Sequence, residues 1–579
     1  MERRSGSLMQ YYVAACCILV VSAKPSTLDR SEHTQIGYVD GDTGETDWWK
    51  TGQNEMLESI EETLKITNRI NRAKNIILFI GDGMGVSTVS AARVYHAQSR
   101  NLVGKDVNLA FENFPYIALS KTYNTDMQVG DSAATATAFN CGYKAKFGTI
   151  GVNQNVYRKN CTNNEENSVN SFINYAMDEG KWAGLVTTTR ITHATPAAAY
   201  AHAGERNWES DTDVAKEVEN PEDREKCKDI AYQLVHTEQN KDIRVLLGGG
   251  RGKFMLESQQ DPERALNGSR QDRDLIQDWL DIKKEQFPDN PEKYKYITDQ
   301  AGFIDADENE LEYLFGMFEP GHMLYEMERE NEPSLAEMTS KAIKMLQRSD
   351  NGFALLVEGG RIDHAHHDSW TANALNETLA FADAVKVAAD LTDESDTLIV
   401  VSADHSHVLA INGYPYISSD ILGLVHEEND DHNELVLSMM HDNKPYTNLM
   451  YTNGPGYAYH RFDENDTEIP RKDLTNEAGF GQHLYRYDTA MYRDSETHAG
   501  EEVAIYARGP MSHLFHGTHE QNYIAHVLMY AACIGPNKDH CDKQRAFPTC
   551  GTDAATTGHS VSYCSILFMA LVAYIKSFS

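Results

Sequence analysis

Six short apolar runs, each closed by turn and polar residues, limit what this chain can fold into more than any other feature of it. Residues 75–80, NIILFI, stop at the turn sequence GDGMG, the pattern of a strand buried on both faces. The same design recurs in WAGLVTTTRITHATP at 182–196, in FALLVEGGRIDHAHHD at 353–368 and in DTLIVVSADHSH at 396–407. Two shorter runs, IRVLLGGG at 243–250 and EVAIYARGP at 502–510, complete a set read as parallel strands separated by helical segments. The predicted class is α/β, a large, mostly parallel central sheet flanked by helices. Such sheets place their chemistry beyond the carboxyl ends of the strands. Residues 250–318 and 413–496 are charged and irregular and are read as insertions on that sheet rather than separate domains.

One further stretch, DMQVGDSAATATAFNCG at 126–142, predicts a loop turning into a buried helix at Ser132. A serine there meets the positive end of the helix dipole and several unpaired backbone N–H groups, which favours an alkoxide or a bound anion. Taken alone the segment reads more readily as a plain capping serine. Polar residues beyond the apolar runs change its meaning: Asp82, His193, Thr195, Glu358, Asp363, His367, Asp404, His405 and His498. Carboxylates and imidazoles in such number are what divalent metals select, and Asp363 and His367, four apart, share a face if their segment is helical.

Charge narrows the partners. Asp and Glu number 87 against 52 Lys and Arg, a formal net charge of −35, which excludes nonspecific attraction to nucleic acid or anionic membranes. A phosphate-bearing ligand must therefore meet local positive charge, and metal ions are its natural source. At 41% hydrophobic residues and a mean hydropathy of −0.52, the body is that of a globular protein with apolar segments only at its ends. Arg3 and Arg4, the run 11–21 and the small residues Ser22 and Ala23 read as a secretory signal over residues 1–23. Residues 46–71 read as an amphipathic helix carrying Trp48, Trp49, Met56, Leu57 and Ile60. Secretion implies an oxidising compartment. Of nine cysteines, Cys141 is expected to be free, and Cys161 with Cys227 and Cys533 with Cys541 are the expected pairs, although spacing does not fix connectivity. Asn160, Asn267, Asn376 and Asn465 each begin a glycosylation sequon. From residue 537 a polar tether leads to an apolar tail at 565–575, the layout of a glycolipid-anchor signal, with a terminal amphipathic helix as the alternative.

In order along the chain, NIILFIGDGMG, VGDSAATATAFNCG, TTTRITHATPAAAYAHAGERNW, VEGGRIDHAHHD, VSADHSH and ETHAGEEVAIYARGP resemble the successive motifs of animal alkaline phosphatases. The resemblance spans about residues 75–536 and marks 24–536 as the catalytic domain. It implies that Ser132 is the nucleophile that becomes phosphorylated and that Arg206 clamps the phosphate. One zinc would take Asp363, His367 and His498, a second Asp82, Asp404 and His405, and one magnesium Asp82, Thr195 and Glu358. His193, His364 and His407 match positions just behind the metals. The resemblance further implies a calcium site from Glu263, the carbonyl of Phe318, Glu319 and Glu332, where vertebrate relatives have Asp at the last position. It implies a crown over a homodimer from residues 413–496, a partner-embracing N-terminal helix, and anchor attachment near Asp553 on the outer face of the cell membrane.

The implied reaction is hydrolysis of small phosphate monoesters. Three divalent cations bring about six positive charges and their four carboxylates remove about four, so the site suits a dianion within an acidic protein. Related metal-bearing sheets serve phosphodiesterases and sulfatases, but a sulfatase needs a modified cysteine where Ser132 stands. An anchored surface receptor or adhesin is the reading from outside enzymology.

Overall fold

The computed structural model describes residues 72–541 apart from 430, 433 and 537. The expected signal, the 46–71 helix, most of the tether, the apolar tail and Asp553 lie outside the described residues. Ten strands form the central sheet: β1 (Asn75–Gly81), β2 (Tyr116–Lys121), β3 (Trp182–Arg190), β4 (Ile243–Gly249), β5 (Tyr294–Ile297), β6 (Tyr313–Met317), β7 (Phe353–Gly359), β8 (Thr397–Ser402), β9 (Val503–Arg508) and β10 (Gly517–Glu520). Their spatial order is β10-β2-β9-β8-β1-β7-β3-β4-β6-β5.

β1 lies at the centre, parallel to β7 on one side and β8 on the other, with Ile76 opposite both Ala354 and Leu398. All seven of its residues are buried because helices cover both faces. Successive side chains of a strand point to opposite faces, and the two cores divide accordingly. Ile76, Leu78 and Ile80 pack with Phe139, Phe172, Ile230 and Leu528, while Ile77 and Phe79 pack with Val89, Met338, Ile343 and Phe381. The Phe79 and Phe381 rings meet edge to face at 5.8 Å. Helix Leu335–Leu346 illustrates the local code: Ser334 accepts from Glu337 N at 3.2 Å and the Glu337 carboxylate accepts from Ser334 N at 2.8 Å, a capping box written in the sequence S-L-A-E.

Two expectations are corrected. β9, expected to run parallel, is antiparallel to both β8 and β2. The reversal is what brings His498, just before β9, to the end of the sheet where the other strands finish. Residues 250–318, expected to be an irregular insertion, extend the sheet with β5 and β6, joined through helices Leu275–Gln286 and Gln300–Asp305. β5 is a partly exposed edge strand, YKYI, so it lacks the apolar run that marks the buried strands. Residues 413–496 do lie largely outside the sheet; Leu449–Gly454 pairs with Leu409–Ile411 and with Thr489–Tyr492, and His426–Glu428 with Leu435–Leu437. The structure joins Cys161 to Cys227 and Cys533 to Cys541, and leaves Cys141 buried and free. Among the described residues no helix is long and apolar enough to cross a membrane.

Candidate metal centre and active site

The helix opened by Ser132 begins with a division of labour. Asp131, not Ser132, is the N-cap, its carboxylate accepting from the backbone N–H groups of Ala133 and Ala134 at 3.4 Å. Ser132 is thereby the first helical residue, released from capping, with its Oγ 3.3 Å from His405 Nε2. Asp131 also accepts from Asn124 Nδ2 at 3.0 Å and from Arg206 Nη1 at 3.1 Å. Arg206 is held on its other nitrogen, Nη2, by His193 Nε2 at 3.2 Å. One aspartate therefore fixes the start of the serine helix and the guanidinium beside it, a role the sequence alone did not assign.

Three clusters of ligand-type atoms gather around this serine, each tighter than 4.8 Å. The first is Asp82, Asp404 and His405. Asp82 leaves the end of β1, and Asp404 and His405 leave the end of β8. Asp404 accepts from Gly83 N at 2.9 Å and from His405 N at 2.8 Å, and its other oxygen lies 3.0 Å from His405 Nε2. Gly83 has φ +73°, and a Cβ there would strike the His407 ring, so only glycine lets this turn carry Asp82 so close to Asp404.

The second cluster is Asp363, His367, His407 and His498. Asp363 and His367 lie on the helix Arg361–His367 and face each other across one turn at 3.4 Å. His367 Nδ1 points at the carbonyl of Glu496 and His498 Nδ1 at that of Gly130, 2.8 Å away. The carbonyl on each Nδ1 orients the ring so that its Nε2 faces the Asp363 carboxylate, at 3.4 Å for His367 and 3.3 Å for His498. Those two Nε2 atoms are 3.1 Å apart, a placement suited to two ligands of one cation. His407 bridges Asp363, at 2.8 Å from its Nε2, and Glu496. Although burial opposes it, the flanking carboxylates push the His407 pKa up to about 10. It serves this cluster as a protonated tie. Glu496 also accepts from Val408 N at 2.8 Å; it opens the motif ETHAGEEVAIYARGP, but nothing local in the sequence gives it a role.

The third cluster is Asp82, His193 and Glu358. Glu358, next to last in β7, accepts from Thr187 and, at 2.9 Å, from Thr189, both on the adjacent β3. Thr195 is wholly buried beside them. His193, expected behind the metals, has its own ligand-type nitrogen within this cluster, and its ring packs 5.4 Å from that of His364. His366, also in the histidine-rich helix, is used for packing instead: it bonds Thr88 at 3.0 Å and Tyr451 at 2.8 Å.

Electrostatics test whether cations fit. Burial, with Asp404, Asp363 and Glu358 nearby, drives the Asp82 carboxyl well above its ordinary range, and burial pushes Glu358 to about 7 despite its threonine donors. Among the described residues no hydrogen-bond donor reaches either oxygen of the fully buried Asp82. Buried carboxylates of this kind are stable only when paired or coordinated. Divalent cations meet the requirement of all three clusters.

The acids of the expected calcium site are arranged differently. Arg264 Nε grips Glu319 at 3.0 and 2.9 Å, and Arg251 Nη2 holds Glu263 at 3.0 Å. Glu332 accepts from Leu324 N at 2.9 Å, its carboxyl pushed to about 8 by burial and Glu319; Phe318 is buried beneath, its N–H donating to Gly248 O at 2.8 Å. Of the sequons, Asn160, Asn267 and Asn465 are exposed, whereas Asn376 lies mid-helix with its amide donating to Ala372 O at 2.8 Å.

Carboxylates and imidazoles converging beyond the strand ends of a doubly covered sheet, near a serine at a helix start and a clamped arginine, make a candidate metal-binding enzyme centre. Comparison with known proteins is specific. A family model described as alkaline phosphatase matches residues 73–534. The tissue-nonspecific alkaline phosphatase of Rattus norvegicus is 43% identical over 85% of this chain and 90% of its own. A membrane-bound alkaline phosphatase of Bombyx mori is 40% identical over 87% and 88%. The crystal structure of Thermus thermophilus alkaline phosphatase shares the fold, with a TM-score of 0.54 at 21% identity over 80% of this chain and 92% of that one. The chain belongs to the alkaline phosphatase family.

Proposed function

We propose that the protein hydrolyses phosphate monoesters to an alcohol and inorganic phosphate through a phosphoserine at Ser132. The observation that carries this reading is the release of Ser132 from capping by Asp131, which turns its Oγ to His405 of the first cluster while the same Asp131 holds Arg206. Asp363, His367 and His498 would hold one zinc; Asp82, Asp404 and His405 a second; Asp82, Thr195 and Glu358 a magnesium. Bound there, the ions supply positive field that lowers the serine pKa and stabilises the oxygens on either side of phosphorus. The chain's own residues do the rest. Ser132 Oγ, losing its proton, attacks phosphorus in line; the P–O bond to the alcohol breaks, and the alcohol leaves with the electron pair and takes up a proton. Arg206, steadied by Asp131 and His193, presents its fork to two phosphate oxygens, which a lysine could not match. Water then displaces Ser132 from phosphorus and restores the hydroxyl. A calcium ion at Glu319 and Glu332 would have to displace Arg264 first.

The competing reading is a phosphodiesterase, and charge separates the two. Adding a methyl group to the phosphate removes one anionic oxygen from the Arg206 fork. Charge-assisted hydrogen bonds contribute about 1.5–3 kcal/mol, and the methyl group also crowds the site, so kcat/KM for a monoester should exceed that for the matched methyl diester by at least roughly a hundredfold. Arg206→Ala narrows the gap. Equal rates on the two substrates would favour the diesterase.

We infer further that the mature protein works as a homodimer on the outer face of the cell membrane, held by a glycolipid attached near Asp553. A phosphatidylinositol-specific phospholipase is expected to move the activity from intact membranes into the supernatant; complete retention on the membranes counts against the anchor.

A further inference from the structure

A cavity of about 500 Å³ opens beside the second cluster, with His367 and His364 in its wall. Its opposite wall is aromatic: Tyr325 and Trp370 meet edge to face at 5.8 Å. Between them stands Arg361, its guanidinium 3.8 Å over the Tyr325 ring and its Nη1 3.0 Å from His364 Nδ1. Stacking and this single bond fix the plane of the guanidinium without neutralising it. Among the described residues no carboxylate pairs with Arg361, and its Nε is buried without a hydrogen-bond partner. The two acids on the cavity wall are otherwise engaged, Glu328 with His483 and Asp368 with Arg486 at 3.4 Å. An arginine on the wall of a cavity next to the reacting centre, with no carboxylate to neutralise it, offers its remaining donors to an acceptor supplied by a ligand.

We propose that this cavity receives the alcohol portion of the substrate and that Arg361 binds a second anionic group carried on it. The proposal rests on the phosphomonoesterase reading and adds the substrate class: phosphate monoesters whose alcohol bears a further carboxylate or phosphate. The Tyr325 ring covers one face of the guanidinium and keeps water off that face, which strengthens the charge-assisted bond. Arg361 is a specificity residue for the alcohol portion, separate from Arg206, which holds the phosphate being transferred.

The test uses the metal-loaded protein and non-hydrolysable phosphonates. Inhibition of aryl phosphate turnover is measured for alkylphosphonates and for ω-carboxyalkylphosphonates of matched length, with two, three and four methylenes. Wild type is expected to bind the carboxylate-bearing member at least about tenfold more tightly at one of these lengths. Arg361→Gln removes the gain and Arg361→Lys keeps part of it. No gain at any length, or an equal gain in Arg361→Gln, overturns the proposal. Where aryl phosphate is not turned over at all, the phosphatase reading falls on its own. Calorimetric titration of the same phosphonates then decides the anion subsite by the same criteria.

Discussion

Replacing Ser132 by alanine is expected to lower turnover of an aryl phosphate by at least about a thousandfold while leaving the fold intact. Loss of a nucleophile costs orders of magnitude because the covalent route disappears and only binding and field effects remain. The fold is insensitive for a local reason. Ser132 is the first helical residue, the cap is Asp131, and among the described residues the only side-chain bond of Ser132 is the 3.3 Å contact with His405. Alanine is the best helix former, so the stability change should stay within about 1 kcal/mol. Asp131→Ala would give a different pattern, since the same carboxylate caps the helix and holds Arg206. Near-normal turnover in a folded Ser132→Ala protein contradicts the nucleophile assignment.

Stripping the metals with a chelator is expected to abolish activity and to lower the melting temperature together. Asp82, Asp363, Asp404 and Glu358 lie in one buried region, and burial with mutual repulsion already drives Asp82 and Glu358 toward their neutral forms. Without cations these carboxyls must protonate or remain charged and unpaired, and either outcome costs stability. A site loaded at a thousand times its dissociation constant stabilises the fold by about 4 kcal/mol. For a domain this large, with an unfolding entropy of about 1 kcal/mol/K, that corresponds to about 4 °C per site. Zinc and magnesium added back should restore both readings. Full turnover in protein assayed with far less than one metal ion per chain contradicts the metal assignment.

Much of this was legible because burial on both faces leaves a plain signature. The runs at 75–80, 353–359 and 397–402 are continuous and apolar since helices cover both sides of β1, β7 and β8, and the residue after such a run must lie at the strand end. Asp82, Asp404 and His405 could therefore be placed before any coordinates were known. The direction of β9 was not legible, because a buried strand has the same composition whichever way it runs; only its partners Val400 and Ile117 reveal it. Edge strand β5 escaped notice for the opposite reason, its exposure erasing the apolar pattern. Long-range supports were beyond sequence reasoning as well. Asp131 reads as a loop acid, and nothing local says that it meets Arg206, 75 residues on. Glu496 and Arg361 likewise owe their roles to segments far along the chain, His407 and Tyr325.

The central claim, a phosphoryl group carried by Ser132, is tested most directly by trapping it. Protein mixed with radiolabelled phosphate monoester, quenched in acid within the turnover time and digested, is predicted to release one labelled peptide covering residues 126–142, with the label on Ser132. Label on a histidine or on another serine, or turnover with no protein-bound phosphate at any quench time, would contradict the account.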